Sequence, residues 1–152
     1  MAGKLLSELK QTKPFESREQ EAYLNVLKTA DFLQQTAAAV LRSHNMSETQ
    51  YNVLRILRGA GDEGLKCSDI GERMVTRDPD ITRLLDRLEK QGWIERHRST
   101  TDRRVVTTRI SAAGLAKLSE LDEPLKVSLE GLLGRIGQAK LQMLIELLEE
   151  VR

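Results

Sequence analysis

The stretch from Ile81 to Ser111 constrains the fold more than any other part of the chain. A helix is predicted to begin near Ile81 and to end at Gly92. Four residues at i, i+3, i+4 and i+7 predict one apolar face for that helix: Ile81, Leu84, Leu85 and Leu88. Two short runs, Trp93–Arg96 and Val105–Ile110, then have the alternating or β-branched character of strands, and Ser99–Asp102 has the composition of a turn. The stretch is therefore expected to form a helix followed by a two-stranded hairpin.

Helices are predicted on the N-terminal side of this stretch. Ser17–Gln20 has the form of a capping box, and helical spacing of Leu and Ala predicts a long helix over about Arg18–Arg42. Ser47–Gln50 is a second capping box, which begins a helix expected to end at Gly59. A short helix over about Ser68–Met74 follows.

Further helix signals flank the hairpin. Asp78 is a good N-cap with Pro79 at the first helical position, so the helix before the hairpin is expected to begin there. Ser111 is suited to cap the next helix, in which Pro124 predicts a kink or a break. A last helix is predicted over about Gln138–Val151.

Composition limits the class of protein. A chain of 152 residues with 39% apolar and 31% charged residues fits one globular domain, or two small ones packed together. It has no apolar run of about 18 residues, so no membrane-spanning helix is expected, and the first residues lack the apolar core of a secretory signal. The single cysteine, Cys67, excludes an internal disulfide, and a cytoplasmic location is expected.

Positive charge is concentrated in the middle of the chain. Residues 66–110 contain eleven Lys and Arg against eight Asp and Glu, although the whole chain has a net charge of only +1. Arg83, Arg87 and Lys90 form one basic stripe opposite the apolar helix face. An alternative interpretation is a solvated helix face with i, i+4 ion pairs, of which Asp86–Lys90 would be one.

The hairpin is also basic. Six cationic or imidazole side chains lie within fourteen residues: Arg96, His97, Arg98, Arg103, Arg104 and Arg109. Arginine at such a tip is suited to the narrow, electronegative minor groove of DNA. Asp102 would oppose a polyanion unless its carboxylate orients a guanidinium or closes the turn. The alternative is an ordinary polar hairpin.

The order of the elements is that of a winged helix-turn-helix, in which the second helix of the pair enters the major groove of DNA. We therefore expect a mainly α fold with a small two-stranded β-wing. Arg83 is the best placed residue for a bidentate contact to guanine, and Thr82 lies beside it. The N-terminus of that helix would direct backbone N–H groups toward a phosphate.

Three motifs carry a family resemblance: Leu84–Arg96 (LLDRLEKQGWIER), Asp102–Arg104 (DRR) and Ile110–Gly114 (ISAAG). Together they resemble the MarR family of bacterial transcriptional regulators, over about residues 47–115. The resemblance implies an obligate homodimer with interleaved N- and C-terminal helices, bound to a pseudo-palindromic operator. It also implies release of DNA in response to a small phenolic or other lipophilic molecule, or to an oxidant. Independently, the Leu- and Ala-rich terminal helices lie outside the winged module and need a partner for their apolar faces.

The chain departs from the family at the turn between the paired helices. Members commonly have small Ser or Thr residues there, whereas this chain has Thr76-Arg77-Asp78-Pro79-Asp80. Two carboxylates would repel phosphates, unless Asp80 accepts a hydrogen bond from a cytosine amino group. The operator sequence therefore does not follow from relatives.

Other reactive residue types give little support for chemistry. Cys67 lies where the family usually has an apolar residue, so a small buried hydrophobe is favoured over a redox sensor. His44 and His97 have no third metal ligand at useful spacing. No catalytic triad pattern, phosphate loop or Cys pair is present, so no enzyme activity and no cofactor are predicted.

These observations predict a dimeric transcriptional regulator, most often a repressor, with double-stranded DNA as its partner and a possible small effector whose site the sequence does not locate. The expected divisions are dimerisation helices at 1–46 and 112–152 and a DNA-binding module at 47–111. The residues expected at the DNA are the following: Arg77, Asp80, Thr82, Arg83, Arg87, Arg98, Asp102, Arg103 and Arg104. The rival hypothesis is a winged-helix adaptor that binds proteins and has lost DNA binding.

Overall fold

A computed structural model describes residues 3–152. Its elements, in chain order, are α1 (Lys4–Glu8), α2 (Arg18–Ser43), α3 (Glu48–Ala60), α4 (Cys67–Arg73), α5 (Ile81–Lys90), β1 (Ile94–Arg98), β2 (Val106–Ile110), α6 (Ala112–Leu133) and α7 (Gln138–Glu150). Two 3₁₀ turns, Gly61–Glu63 and Gly134–Ile136, follow α3 and α6. The protein is thus mainly helical with one small antiparallel sheet, as the sequence predicts.

Contacts among the described residues divide them into two units, of which the first ends at Thr36 and the second is 37–152, and the boundary falls inside α2. In the first unit, Ser17 Oγ accepts a hydrogen bond from Gln20 N at 3.1 Å, which supports the predicted start of α2. Leu5 is the buried side chain of this unit, among its described residues. The expected three-part division at 46 and 111 stays a prediction.

The second unit has one continuous apolar core, to which α2, α3, α4, α5, β1 and α6 contribute. Its fully buried side chains, each less than about 3% exposed, come from all of these elements: Leu41, Val53, Leu54, Leu57, Ile70, Leu84, Leu85, Leu88, Ile94, Leu118 and Leu121. Such a core fixes the relative positions of the helices that carry it, because protein interiors are packed to near-crystalline density.

Helix α3 holds the centre of this unit. The predicted capping box is present: Ser47 Oγ accepts from Gln50 N at 3.1 Å, and Ser47 N donates to Gln50 Oε1 at 2.9 Å. At the other end of the helix, Arg58 Nη1 lies 3.0 and 2.8 Å from the two carboxylate oxygens of Asp122 on α6. This hydrogen bond raises the pKa of Arg58 above its ordinary value. Helices α3 and α6 are thereby joined at the surface as well as through the core.

The wing is the predicted hairpin with one addition. Strands β1 and β2 pair in antiparallel register, from Ile94 opposite Ile110 to Arg98 opposite Val106. Leu65, in the loop before α4, also forms an antiparallel bridge with Thr108, with hydrogen bonds of 2.9 and 2.7 Å. This third strand segment was not predicted, because a single bridge has no periodicity to detect.

Helix α6 begins and continues for identifiable reasons. Ser111 Oγ accepts from Gly114 N at 3.0 Å, which confirms the predicted cap. Gly114 is required at this position because a Cβ there would collide with the carbonyl oxygen of Trp93. Pro124 lies inside the helix, which continues to Leu133, so the predicted possibility of a break was wrong. The cost of the missing N–H is confined to one hydrogen bond of a helix that the core already holds.

Candidate nucleic-acid interface

Helices α4 and α5 form the pair expected of a helix-turn-helix. Ile70 of α4 is buried, as are Leu84, Leu85 and Leu88 of α5, while Ile81 is half-buried at the edge of the same core. The predicted apolar face of α5 is therefore confirmed. Its opposite face presents the predicted polar side chains to solvent: Thr82, Arg83, Arg87 and Lys90 are all exposed.

The start of α5 differs from the prediction. The helix begins at Ile81 with Asp80 as its N-cap residue, so the expectation that Asp78 caps a helix beginning at Pro79 was wrong. The backbone of Asp80, at φ −127° and ψ 48°, is not helical. Asp78 still uses its carboxylate locally, because its Oδ1 accepts from Asp80 N at 2.8 Å. The result is a tight Asx turn in front of the helix rather than an extra helical turn.

The end of α5 determines where the wing begins. Gly92 has a φ of +74°, and its N–H donates to Glu89 O at 2.9 Å while Trp93 N donates to Leu88 O at 3.0 Å. This pair of bonds is a Schellman motif, which confirms Gly92 as the predicted terminator. Ser111 closes the other side, because its hydroxyl donates to Gly92 O at 2.6 Å. The base of the wing is thus tied directly to the C-terminal end of α5.

Asp102 closes the wing tip. Its Oδ1 accepts from Arg104 N at 2.9 Å, and its carbonyl oxygen accepts from Val105 N at 3.0 Å. The sequence allows Asp102 either to orient a guanidinium group or to close the turn, and in the structure it closes the turn. Asp102 makes no ion pair with any side chain between residues 3 and 152. The carboxylate shapes the tip without neutralising the neighbouring guanidinium groups.

The cationic side chains of the hairpin divide into separate groups. Arg98, Arg103 and Arg104 are exposed and, over residues 3–152, form no ion pair. Arg96 is only 26% exposed and turns toward α5 instead. Arg109 is exposed next to the Gly64 backbone, away from the tip. The sequence analysis predicted one basic cluster, but only Arg98, Arg103 and Arg104 are available at the tip.

The partners of Arg96 are carboxylates on α5. Its Nη2 lies 2.6 Å from Asp86 Oδ1, and its Nη1 lies 3.7 Å from Glu89 Oε2. Asp86 therefore pairs with the wing and not with Lys90, so the i, i+4 pair that illustrated the alternative interpretation is absent from the described residues. This connection between helix and wing was missed because nothing in the spacing of residues 86 and 96 indicates that they meet.

The remaining predicted DNA-facing residues lie at the entry to α5. Arg77 is exposed in the turn between α4 and α5. Arg83 is 82% exposed, and its Nε lies 3.2 Å from Asp80 Oδ2. We define the basic surface as Arg77, Thr82, Arg83, Arg87 and Lys90 together with the wing residues Arg98, Arg103 and Arg104.

Residues that suggested other chemistry have ordinary surroundings. Cys67 is half-buried, begins α4 and packs against the core, as a small apolar residue would. His44 Nδ1 lies 3.1 Å from Val40 O at the end of α2. Over residues 3–152, no three His, Cys, Asp or Glu side chains are grouped so as to hold a metal ion. In the same range, no helix is long and apolar enough to cross a membrane.

Comparison with known proteins identifies the family. Residues 46–106 match the model of the MarR family. A crystal structure of a MarR transcription factor from Planctomyces limnophilus is 38% identical, covers 89% of this chain and 98% of its own, and superposes with a TM-score of 0.69. This chain belongs to the MarR family. Its relatives in that family are transcriptional regulators and not enzymes.

Two further MarR-type proteins extend the comparison. The HTH-type transcriptional regulator MhqR of Bacillus subtilis (strain 168) is 26% identical over 111 residues, which cover 73% of this chain and 75% of MhqR. The S. aureus MepR–DNA complex is 19% identical, covers 86% of this chain and 94% of its own, and has a TM-score of 0.74. At that identity the likeness establishes the winged-helix fold alone.

Proposed function

We propose that this MarR-family chain binds double-stranded DNA sequence-specifically in the cytoplasm, as a homodimer on a pseudo-palindromic operator, and represses transcription there. The observation that carries the proposal is the basic surface. Its cationic side chains lie on one helix face, on the turn before that helix and on the wing tip, and all of them are exposed. Apart from the Arg83–Asp80 contact, no acidic side chain of the described chain is paired with them.

The two parts of the basic surface suit different grooves. An exposed helix face bearing Thr82, Arg83 and Arg87 fits the major groove, where guanidinium groups form bidentate contacts with guanine. The compact wing tip, closed by Asp102, exposes Arg103 and Arg104, and a narrow minor groove would attract such side chains. DNA binding is also supported by MepR, which shares the fold and forms a complex with DNA.

The homodimer is supported by exposed apolar surface. Helix α7 has no buried residue, and six large apolar side chains are more than a third exposed, five in the helix and one directly after it: Met143, Leu144, Ile145, Leu147, Leu148 and Val151. In α2, four more are exposed: Tyr23, Val26, Leu27 and Phe32. A helix that exposes this many large apolar side chains marks an interaction site. A two-fold dimer would place its two copies of α5 about 34–36 Å apart, one turn of DNA.

Removal of a wing arginine tests DNA binding. Arg104→Ala should weaken binding to a duplex from upstream of the protein's own gene, and should lower the slope of log affinity against log salt by about one unit per protomer. Fluorescence anisotropy over a salt series measures both quantities. Arg109→Ala is the matched control, since it removes the same group from the same hairpin away from the tip, and it should leave the slope unchanged.

The same measurement separates this function from the adaptor hypothesis. A wild-type protein that binds no duplex at moderate salt would contradict DNA binding and favour the adaptor. An unchanged slope in Arg104→Ala would remove Arg104 from the interface. Response to a small phenolic effector stays part of the proposal, and a titration of a phenolic carboxylate into the preformed complex should release DNA.

A further inference from the structure

The acidic turn before α5 is the feature that DNA binding alone leaves unexplained. Asp78 and Asp80 place two carboxylates at the end of the helix proposed to enter the groove, where phosphates would be repelled. A carboxylate at a helix start is often explained as an N-cap. Asp80 does not serve that purpose, because its side chain makes no capping hydrogen bond. Its contribution to helix start is a backbone one, through Leu84 N, which donates to Asp80 O at 3.1 Å.

The side chain of Asp80 instead contacts Arg83. Asp80 Oδ2 lies 3.2 Å from Arg83 Nε, one turn along the same helix face. An exposed pair of this kind contributes little to folding. The contact does fix the orientation of the Arg83 side chain, although that side chain is 82% exposed. The pair is electrically neutral, which also offsets the repulsion between the Asp80 carboxylate and the phosphates.

The atom used in that contact determines what remains for a ligand. A guanidinium group has five N–H donors in a planar fork. With Nε at Asp80, the two terminal nitrogens of Arg83 have no ion-pair partner within residues 3–152, and this pair of donors matches the O6 and N7 acceptors of guanine. The second carboxylate oxygen, Oδ1 of Asp80, is free to accept from a base amino group, of which cytosine N4 is the major-groove example.

Asp78 fixes the position of Asp80 in turn. Its Oδ1 accepts from Asp80 N at 2.8 Å, and this bond holds the non-helical backbone of Asp80 ahead of the first turn. A continuous series of contacts therefore runs from the Asp78 carboxylate through the Asp80 backbone and carboxylate to the Arg83 guanidinium. Each contact lies at the N-terminal end of α5, and none of these residues belongs to the apolar core.

We infer that Asp80 is a specificity-determining residue: it holds Arg83 in position to read a guanine and itself accepts a hydrogen bond from the amino group of a neighbouring cytosine. The inference rests on the proposed DNA-binding function and specifies the bases that one part of the interface reads. Each operator half-site should then contain a guanine opposite the N-terminal end of α5, with a cytosine beside it on either strand. Asp78 is the positioning residue for Asp80.

Selection of duplexes from a random library by the full-length protein tests this inference. Wild type should enrich one guanine position in each half-site. Asp80→Ala should reduce the preference for guanine at that position about tenfold, the effect of losing one well-oriented bidentate contact, and should abolish the preference for the neighbouring cytosine. Its affinity for random-sequence DNA and its salt slope should stay the same or rise, because a carboxylate is lost and no cation is.

Three companion variants separate orientation from charge. Arg83→Lys keeps the charge but lacks the planar fork, so it should lose the guanine preference while keeping the salt slope. Asp78→Ala should weaken the same preference by a smaller factor. Asp62→Ala, the matched control, removes an exposed carboxylate from the 3₁₀ turn after α3 and should leave every base preference unchanged.

The outcomes distinguish the two levels of the proposal. A wild-type protein that enriches no sequence contradicts the proposed function itself. A wild-type protein with a clear motif that Asp80→Ala leaves unaltered overturns the inference and leaves the function intact. A drop in the affinity of Asp80→Ala for all sequences equally would also overturn it, because it would show a general and not a base-specific contribution.

Discussion

The winged part of the chain and its C-terminal end differ in how they are stabilised. Within residues 3–152, all of the buried apolar side chains apart from Leu5 lie between Leu41 and Leu125. After Leu125 no residue is buried, although α7 is as rich in large apolar side chains as any other helix. The first region satisfies its apolar surface within the protomer. The second leaves its large apolar side chains exposed, and the proposed homodimer would cover them.

This difference fits the two functions proposed for these regions. A DNA-reading surface must hold its side chains in fixed positions, and the core beneath α5 provides that rigidity. A surface for association must instead remain available until its partner arrives. The same residue types, mainly leucine, serve both purposes, and burial within the protomer distinguishes them.

The largest expected effect comes from the same substitution made in each region. Leu88→Ala, in a side chain with no exposed surface, should lower the free energy of unfolding by about 2–5 kcal/mol, because it removes apolar burial and leaves a cavity. Leu147→Ala, 54% exposed, should cost less than about 0.5 kcal/mol in the separated protomer. Urea denaturation over a range of protein concentrations measures both. Similar losses at low concentration would show that the two regions are not stabilised differently.

How far the sequence predicts this molecule depends on the range of the interaction involved. The Ser47 cap, the Gly92 terminator and the apolar face of α5 were predicted correctly, since each depends on residues close together in sequence. The bond from Arg96 to Asp86 and the bridge from Leu65 to Thr108 were not predicted. Both join segments whose proximity arises only when the wing folds back.

Local rules also failed where two of them competed at one position. Asp78-Pro79 has the composition of a helix start, yet the helix begins at Ile81 because the Asp78 carboxylate bonds to Asp80 N in a turn. Pro124 has the composition of a helix break, yet Leu121 and Leu125 on either side are buried and hold the helix together. At the candidate site, the basic residue types were predictable, but which arginines remain unpaired was not.

An intermediate effect is expected when the apolar face of α7 is made charged. The double variant Ile145→Asp, Leu148→Asp should weaken dimerisation by about a hundredfold or more, because an unpaired charge buried in an interface costs roughly 3–5 kcal/mol. Light scattering after size exclusion should show the mass fall from twice 17.2 kDa to about 17.2 kDa. The winged region should stay helical and fold cooperatively, because its core is complete within the protomer.

The control for this variant lies on the polar side of the same helix. Gln142→Asp introduces a charge beside Glu146, which Gln142 contacts at 2.9 Å, and should leave the mass of the dimer unchanged. A wild-type protein that is monomeric at micromolar concentration would contradict the proposed homodimer. If the double variant unfolded completely, the winged region would not be self-sufficient and the contrast drawn between the two regions would be wrong.

The smallest expected effect on stability comes from Asp122, near the point where the buried part of α6 ends. Asp122 lies between the last two buried residues of the chain and pairs with Arg58 across the surface, with side chains that are 47% and 35% exposed. Asp122→Asn should therefore lower the free energy of unfolding by no more than about 1 kcal/mol, and by less in 1 M salt, where exposed ion pairs are screened. Glu123→Gln, one residue further and exposed, should have no measurable effect.

The pH dependence of this pair follows from the direction of its pKa shift. The hydrogen bond with Asp122 raises the pKa of Arg58 in the folded protein, so the stabilisation is fully present below the unfolded pKa of arginine and is lost only as the pH rises through the folded value. The difference in stability between wild type and Asp122→Asn should therefore stay constant from about pH 6 to about pH 9. A difference that changed within this range, or a loss in Glu123→Gln equal to that in Asp122→Asn, would show that the Arg58 contact does not anchor α6 to α3.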